Sequence, residues 1–188
     1  YYTANSYNYT VEYYYDNNKD DSATFTEKAA FNSEIVNYED KSKTGYALSK
    51  VEGVPLKISE DAEKNVIRVY YEREEYAYTI NYYYDGIKDD NATIKATLKY
   101  AESVNGYKDK IKTGYKLDKV TGLTDGKLII TEDPSKNVID VYYVKDTFEY
   151  TVEYYYDGII NEDATVKGKA EYGSIITKYA DKNITGYK

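Results

Sequence analysis

The sequence predicts a mainly β fold that is repeated in tandem as small domains, with an α+β fold left open by one segment of each repeat. The octapeptide at residues 9–16, Tyr-Thr-Val-Glu-Tyr-Tyr-Tyr-Asp, recurs with two changes at 78–85 and unchanged at 150–157. Its threonine, valine and tyrosine residues favour a half-buried strand, and its aspartate favours the turn that follows. The octapeptide returns after 69 and then 72 residues. This interval exceeds the roughly 20–45 residues of a solenoid repeat and indicates units that fold individually.

The alignment of these units predicts four segments. They are residues 1–8 as the tail of a preceding repeat, 9–74 as repeat 1, 75–146 as repeat 2, and 147–188 as repeat 3 without its last two strands. Tyr1-Tyr2 aligns with the tyrosine pairs at 70–71 and 142–143, and Tyr187-Lys188 aligns with Tyr115-Lys116. We therefore expect the chain to be a window on a longer array.

The first half of each repeat is predicted to hold two strands. The opening strand leads into an acidic turn, at 16–21 in repeat 1, and a second alternating strand follows at 24–31. A stretch around 33–42, with equivalents at 102–111 and 174–183, fits either a short helix or a bent strand, because the spacing of its apolar residues does not distinguish the two.

The second half of each repeat is predicted to hold a third strand and a hairpin. Thr-Gly-Tyr at 44–46, repeated at 113–115 and 185–187, predicts a tight turn before a strand through Leu48 or Leu117. In repeat 1, residues 56–60 and 66–71 are predicted to pair around a turn at 61–65, which is rich in turn-forming residues.

Alternation along the first and last strands predicts which face of the sheet is buried. On the first strand Val11, Tyr13 and Tyr15 share the core face, and Tyr14 lies on the other. On the last strand Ile67, Val69 and Tyr71 form the core side, opposite Val66, Arg68 and Tyr70. The chain has 28 tyrosines but only 3 phenylalanines. We interpret this as a thin core that the rings cross, so that their hydroxyls emerge at its edge.

The joints between repeats are short and contain neither glycine nor proline. Tyr71 and Tyr76 are separated by Glu-Arg-Glu-Glu, so that one strand leads almost directly into the next. Such a joint restricts bending more than a Gly/Ser-rich tether would. The repeats are therefore predicted to form an elongated rod in which each repeat has its neighbours as partners.

Composition argues against several function classes. The formal charge of −8 repels phosphate backbones, so nucleic acid is not an expected partner. The chain has no cysteine or histidine, so thiolate and imidazole catalysis are excluded; we predict no enzyme activity and no cofactor. No apolar run reaches the roughly 20 residues of a membrane span, so no membrane insertion is expected.

The acidic turns are the weak candidates for a metal site. Asp85, Asp89 and Asp90 supply carboxylates of the kind that calcium prefers, but the spacing of an EF-hand is missing. We therefore predict a solvated loop without a tight site. An internal isopeptide bond would need a lysine such as Lys50 or Lys119 beside a buried acidic partner, and the sequence identifies no such partner.

Three motifs together resemble the mucin-binding-protein (MucBP) repeats of Gram-positive surface proteins. They are the Tyr-Thr-Val-x-Tyr-x-x-Asp opening, the Gly-Tyr pairs at 45–46, 114–115 and 186–187, and the Asn-Val-Ile-x-Val-Tyr-Tyr close. The resemblance implies a small ubiquitin-like β-grasp domain, repeated along a stalk on the cell-wall-associated, extracellular surface. It also implies that the first and last strands lie side by side and parallel, which would place Tyr14 near Tyr70.

We therefore expect a structural role, as the spacer or stalk of a cell-surface adhesin that projects a distal binding region. The alternative from a different class is that the repeats bind mucin or other host glycans through exposed tyrosines. The candidate residues are Tyr14, Tyr70, Tyr83, Tyr142 and Tyr155. A further alternative is a fibre that assembles through exposed strand edges.

Overall fold

The computed structural model describes residues 2–188, so Tyr1 of the predicted tail lies outside the described residues. Within this range the strands in chain order are β1 (Ser6–Tyr15), β2 (Asn18–Ala30), β3 (Glu34–Ile35), β4 (Tyr46–Glu52), β5 (Leu56–Lys57), β6 (Val66–Arg73), β7 (Glu75–Tyr84), β8 (Ile87–Lys88), β9 (Ile94–Lys99), β10 (Ser103–Asn105), β11 (Tyr115–Thr121), β12 (Lys127–Ile129), β13 (Val138–Lys145), β14 (Thr147–Val152), β15 (Tyr155–Tyr156), β16 (Ile159–Ile160) and β17 (Val166–Glu171).

Residues 2–188 contain no helix, so the prediction of a mainly β chain is confirmed there. The chain divides into two compact units. Unit 1 comprises the residues up to Tyr78 with Ala96–Val104 and Lys127–Asn137, and unit 2 comprises Thr79–Lys95, Asn105–Gly126 and Val138–Lys188. The repeat boundaries remain a prediction, and "repeat" denotes those sequence segments below.

Unit 1 is built on a four-stranded sheet in the order β2-β1-β6-β4. The central strands β1 and β6 run parallel, with Tyr14 opposite Tyr70, while β2 and β4 are antiparallel to their neighbours. The turn between β1 and β2 is made by Asp16 and Asn17 at φ 48° and 64°. Both residue types tolerate this left-handed conformation, which explains why the opening strand ends where the sequence predicts.

The core of unit 1 lies on the predicted face of this sheet. The buried residues are Tyr9, Val11, Tyr13, Tyr15, Leu56, Ile58, Ile67, Val69 and Tyr71. Tyr13, Ile67 and Val69 are fully buried at 0 % exposure, and burial of a side chain of this size stabilises the fold by about 1.5–3 kcal/mol. Alternation along β1 and β6 therefore assigns the core face correctly.

The short helix left open at 33–42 is not formed. After the two-residue strand β3, residues 36–43 have no regular secondary structure and are called the covering segment of repeat 1. Core tyrosines hold it from below, because the Tyr13 hydroxyl donates to the carbonyl of Glu39 (2.7 Å) and the Tyr15 hydroxyl to that of Lys41 (2.5 Å). Both residues are among the last four of the predicted segment, whose carbonyls would have no partner inside a helix, so the tyrosine hydroxyls supply donors that the segment itself lacks.

The predicted hairpin between 56–60 and 66–71 is wrong. β5 pairs with β3, and β6 lies between β1 and β4. Asn65 closes the turn with its side chain, which is fully buried. Its amide accepts from the backbone amide of Ser59 (2.9 Å) and donates to the carbonyls of Ser59 (2.8 Å) and Asn8 (3.1 Å). The turn is therefore held by side-chain bonds, and the strand after it is free to pair elsewhere.

Unit 2 has a sheet in which β11, β13, β7 and β8 follow one another. Here β13 and β7 run parallel, with Tyr142 opposite Tyr83. The buried apolar residues on this pair of strands are Ile80, Tyr82, Tyr84, Ile139, Val141 and Tyr143. Tyr82 and Tyr84 donate to the carbonyls of Lys108 (2.7 Å) and Lys110 (2.5 Å), so residues 106–112 form a covering segment like that of repeat 1. Unit 2 also contains the strand pairs β14–β17 and β15–β16.

Candidate functional sites: the tyrosine face and the repeat junctions

The predicted tyrosine face of unit 1 is a stacked pair of rings. Tyr14 and Tyr70 are directly opposite on the parallel strands β1 and β6. Their ring centroids are 4.7 Å apart and their planes differ by 19°. Both side chains are half-buried. The strand register therefore brings together the two residues that the resemblance placed side by side.

Charged groups surround this pair. The Tyr14 hydroxyl donates to Glu12 Oε2 (2.9 Å) and the Tyr70 hydroxyl to Glu52 Oε2 (3.2 Å). Lys50 Nζ lies 4.3 Å from the Tyr70 ring centroid, within the range of a cation–π interaction. Partial burial, followed by the hydrogen bond to Glu52, raises the pKa of Tyr70. Both phenols are therefore hydrogen-bonded to carboxylates.

Unit 2 carries a matching pair in Tyr83 and Tyr142. The centroids are again 4.7 Å apart, with an interplanar angle of 13°, and Lys119 Nζ lies 4.9 Å from the Tyr142 ring. The neighbours differ, because a buried Asn81 donates to Asp140 Oδ1 (2.8 Å) where repeat 1 has the ion pair of Glu12 with Arg68 (3.0 Å). The ring pair and its lysine thus recur in both repeats although the charges beside them change.

Tyr155, the last predicted site residue, is left without a ring partner among the described residues. Its side chain is 58 % exposed, and its hydroxyl donates to Glu153 Oε2 (2.6 Å). The structure therefore brings the predicted residues together as two pairs and one single ring. A sugar stacks on the open face of an aromatic ring, and in the two pairs one face of each ring is already covered by the other ring. The ring of Tyr155 is therefore more accessible to a sugar than the rings of the two stacked pairs.

The weak metal candidates do not form a cluster. Asp89 Oδ2 accepts from Lys112 Nζ (2.7 Å), which is the largest of the effects that lower the pKa of Asp89. Asp90 lies 3.6 Å from Lys88, and Asp85 accepts from the Lys145 amide (3.1 Å). Within residues 2–188 no three acidic side chains converge as metal ligands. Each carboxylate is instead matched with a lysine or a backbone amide.

A second candidate site is the junction between repeats 1 and 2, which lies within unit 1. β6 ends at Arg73 and β7 begins at Glu75, so a single residue separates the two strands. That residue, Glu74, donates its amide to the Gly45 carbonyl (2.9 Å) and accepts at its carbonyl from the Tyr100 amide (2.8 Å). Both backbone groups of the connecting residue are therefore bonded, one on each side of the junction.

The ring of Tyr100 occupies the space above Gly45. A Cβ atom built on Gly45 would overlap the Tyr100 ring carbons, and the Gly45 backbone has φ +74°. Glycine is therefore required twice here, once for the conformation and once for the close approach of the ring. The sequence predicted the turn at this position but not the ring.

Polar contacts reinforce the same junction. Arg73 Nε donates to Asp16 Oδ2 (2.6 Å), and Arg73 Nη1 donates to the Tyr100 carbonyl (3.3 Å). Glu132 Oε1 accepts from the Gly45 amide (2.9 Å). Partial burial works to raise the pKa of Asp16, but the hydrogen bonds from Arg73 outweigh it and hold that pKa below its usual value.

The junction between repeats 2 and 3, within unit 2, has the same construction. Asp146 alone separates β13 from β14. It donates its amide to the Gly114 carbonyl (2.8 Å) and accepts from the Tyr172 amide (2.8 Å). A Cβ on Gly114, which has φ +80°, would overlap the Tyr172 ring. A glycine, an acidic connecting residue and a tyrosine ring with the same backbone bonds therefore recur in two separate units.

The junction residues that the sequence does not predict are the rings Tyr100 and Tyr172, whereas Glu74 lies within the predicted joint. A signal was present, because an aromatic residue closes the second predicted strand of every repeat, at 31, 100 and 172. The alternation predicts that these rings belong to the second strand of their own repeat. Only the fold shows that each of the two later rings reaches back to the glycine of the repeat before it.

Comparison with known proteins gives no further assignment. No protein-family model matches the chain, and no curated protein matches it significantly. Among residues 2–188 there is also no helix with the length and apolar character needed to cross a membrane. The resemblance to MucBP repeats therefore remains a prediction from the three sequence motifs.

Proposed function

We propose that this chain is part of the stalk of a Gram-positive cell-surface adhesin, with small β-grasp-like repeats that act as spacers and hold a distal binding region away from the cell wall. In this proposal the repeats form an extracellular, elongated rod, and they catalyse no reaction. The single observation that carries it is that one junction, made of a glycine, an acidic connecting residue and a tyrosine ring, recurs at both predicted repeat boundaries.

The physical argument is that such a junction has little freedom to bend. A flexible linker leaves its backbone groups to water and samples many conformations. Here the connecting residue has both backbone groups bonded, and each net hydrogen bond contributes about 0.5–1.5 kcal/mol. A tyrosine ring packed on a glycine adds an apolar contact that a bend would break. A stalk needs joints of this kind, because its reach depends on their stiffness.

The β-grasp assignment has partial support. The parallel first and last strands at the centre of the unit 1 sheet agree with what the MucBP resemblance implies. Where that fold has a helix over the sheet, this chain has the covering segment held by tyrosine hydroxyls. We propose that the covering segment fills the same place in the fold.

The experiment compares Gly45→Ala with Gly106→Ala by small-angle X-ray scattering of the whole chain. Both glycines have similar positive φ, +74° and +76°, but a Cβ on Gly106 meets nothing within 4 Å. Both substitutions therefore place a Cβ atom in the left-handed backbone conformation, which costs about 1–2 kcal/mol, but only Gly45→Ala displaces a ring. We expect scattering from the parent and from Gly106→Ala to indicate an elongated particle. For Gly45→Ala we expect a broader distribution of interatomic distances with a smaller maximum distance. A compact parent, or no difference between the variants, would contradict the proposal.

Glycan binding is the second candidate, and the exposure of Tyr155 is the observation that favours it. The test is a mucin-glycan array probed with the parent chain and with Tyr155→Ala, with Tyr14→Ala and Tyr83→Ala as controls from the paired sites. Binding that depends on Tyr155 would support this candidate. If the parent chain binds no glycan, the glycan-binding candidate is rejected and the spacer proposal stands.

The fibre alternative receives less support. The outer strands of the unit 1 sheet are β2 and β4, and both carry charged residues, among them Lys19, Asp21 and Lys50. Charges on edge strands oppose edge-to-edge pairing. We expect the chain to sediment as a monomer at high concentration, and a concentration-dependent series of larger species would revive the alternative.

A further inference from the structure

We propose that the pairs Tyr14–Tyr70 and Tyr83–Tyr142 are sites of oxidative dityrosine cross-linking, at which a one-electron oxidant such as a haem peroxidase with hydrogen peroxide joins the first and last strands of a repeat. This is a modification of the repeats themselves, and it does not depend on the proposed stalk function.

The distance between the rings suits the bond. Two benzene rings joined by one carbon–carbon bond have centroids about 4.3 Å apart, from standard bond lengths. In both pairs the observed separation is 4.7 Å. The rings are now stacked, so coupling requires them to tilt until their edges meet. All four side chains are half-buried on the open face of a sheet, and partly exposed side chains make such rotations in picoseconds to nanoseconds.

Proton acceptors are in place in repeat 1. Oxidation of a phenol removes an electron and the hydroxyl proton, so a hydrogen-bonded base favours the step. Glu12 accepts from Tyr14 (2.9 Å) and Glu52 accepts from Tyr70 (3.2 Å). Each phenol of this pair therefore already points its proton at a carboxylate.

The reaction balances with the named oxidant. Each tyrosine loses one electron and one proton and becomes a phenoxyl radical. The two radicals couple through the ring carbons ortho to oxygen, and the hydrogen on each of those carbons then moves to oxygen and restores the phenol. The two electrons and two protons reduce one hydrogen peroxide to two waters. The product has two hydrogen atoms fewer than the parent chain.

The other stacked tyrosines are not equivalent sites. Tyr15 and Tyr71 are also stacked, with centroids 5.4 Å apart, but they are buried at 8 % and 1 % exposure. Their hydroxyls are bonded to the covering segment, at the Lys41 carbonyl and at Asp40. Coupling would require the core to open. Tyr155 has a carboxylate partner, but among residues 2–188 no ring pairs with it, so it supplies an internal control for links between chains.

The experiment treats the dilute whole chain with a haem peroxidase and hydrogen peroxide, and isolates the monomer by size exclusion. Dityrosine fluorescence and mass spectrometry of proteolytic peptides then report the intramolecular links. The variants are Tyr70→Phe, Tyr142→Phe and the double variant, which keep the rings and are checked by circular dichroism. Because the two sites are separate, we expect each single variant to lose about half of the monomer signal at completion and the double variant to lose all of it.

Control variants separate this result from random coupling. Tyr155→Phe is expected to reduce covalent dimers and to leave the monomer signal unchanged. Peptides linking residue 14 to 70 and residue 83 to 142 support the proposal. An undiminished monomer signal in the double variant, links mainly at other tyrosines, or cross-links found only between chains would each overturn it.

Discussion

The Tyr71→Phe substitution tests whether tyrosine hydroxyls hold the covering segment to the sheet. The Tyr71 hydroxyl donates to Asp40 Oδ1 (2.6 Å) and accepts from the Lys41 amide (3.0 Å). Asp40 is exposed, so water can replace the bond to its carboxylate. The half-buried Lys41 amide loses its acceptor outright, and an unsatisfied buried group costs about 1–3 kcal/mol. We therefore expect the free energy needed to detach the covering segment from the sheet to fall by about 2 kcal/mol.

The assay is native-state amide hydrogen exchange at Lys41. A loss of about 2 kcal/mol corresponds to an opening that is roughly thirtyfold more frequent. The matched control is Tyr70→Phe, the neighbouring residue on the opposite face, whose hydroxyl bonds an exposed carboxylate. We expect the control to change stability by less than about 0.5 kcal/mol. Equal Lys41 exchange rates in the two variants would refute the argument that the hydroxyl, rather than the ring, holds the segment.

Two further predictions concern the core. Burial raises the pKa of Tyr13 to about 12, and burial, followed by the hydrogen bond to Asp40, raises that of Tyr71 further above its usual value. Since these phenols stay protonated in the fold above the unfolded pKa of about 10, their contribution is complete below that pH and is lost as the pH rises toward 12. For Tyr13 this amounts to about 2–3 kcal/mol. The part of the alkaline tyrosinate absorbance that Tyr13→Phe removes should appear together with the loss of circular dichroism, and its appearance before unfolding would contradict the prediction. Asn65→Ala is expected to cost about 3 kcal/mol or more, because it removes a fully buried side chain that donates to the Ser59 and Asn8 carbonyls and accepts from the Ser59 amide. The urea midpoint should fall well below that of the exposed control Asn37→Ala, and equal midpoints would count against this role.

The strands and their buried face could be predicted from the sequence because both depend on local alternation. The buried Val11, Tyr13 and Tyr15 alternate with the half-buried Glu12 and Tyr14, and this period alone identifies the core side of β1. The turn at Gly45 was predictable for the same local reason, since few other residues adopt its φ of +74°. Predictions of this kind need no knowledge of the rest of the chain.

Pairing could not be predicted in the same way. The residues at 61–65 do form a turn, but a turn does not fix which strand the following segment joins. Both edges of β6 pair with other strands, β1 and β4. The side chain of Asn65 forms the hydrogen bonds that close the turn, so the turn does not need strand pairing between its two arms. The ring of Tyr100 on Gly45 was missed because the two residues are far apart in the sequence and belong to different repeats. Close approach of this kind is a property of the assembled fold.

The tyrosine content follows from the way these repeats close their core. The hydroxyls of Tyr13, Tyr82 and Tyr154 each donate to a carbonyl 26 residues further along the chain. Phenylalanine would fill the same volume but leave that carbonyl without its donor, and leucine would not reach it. A helix satisfies its own carbonyls and needs no such residues beneath it. A covering segment without helical hydrogen bonds depends on the sheet for its donors, and tyrosine is the residue that provides both the apolar ring and the donor. The same arrangement recurs in repeat 3, where Tyr154 and Tyr156 donate to the carbonyls of Ala180 and Lys182.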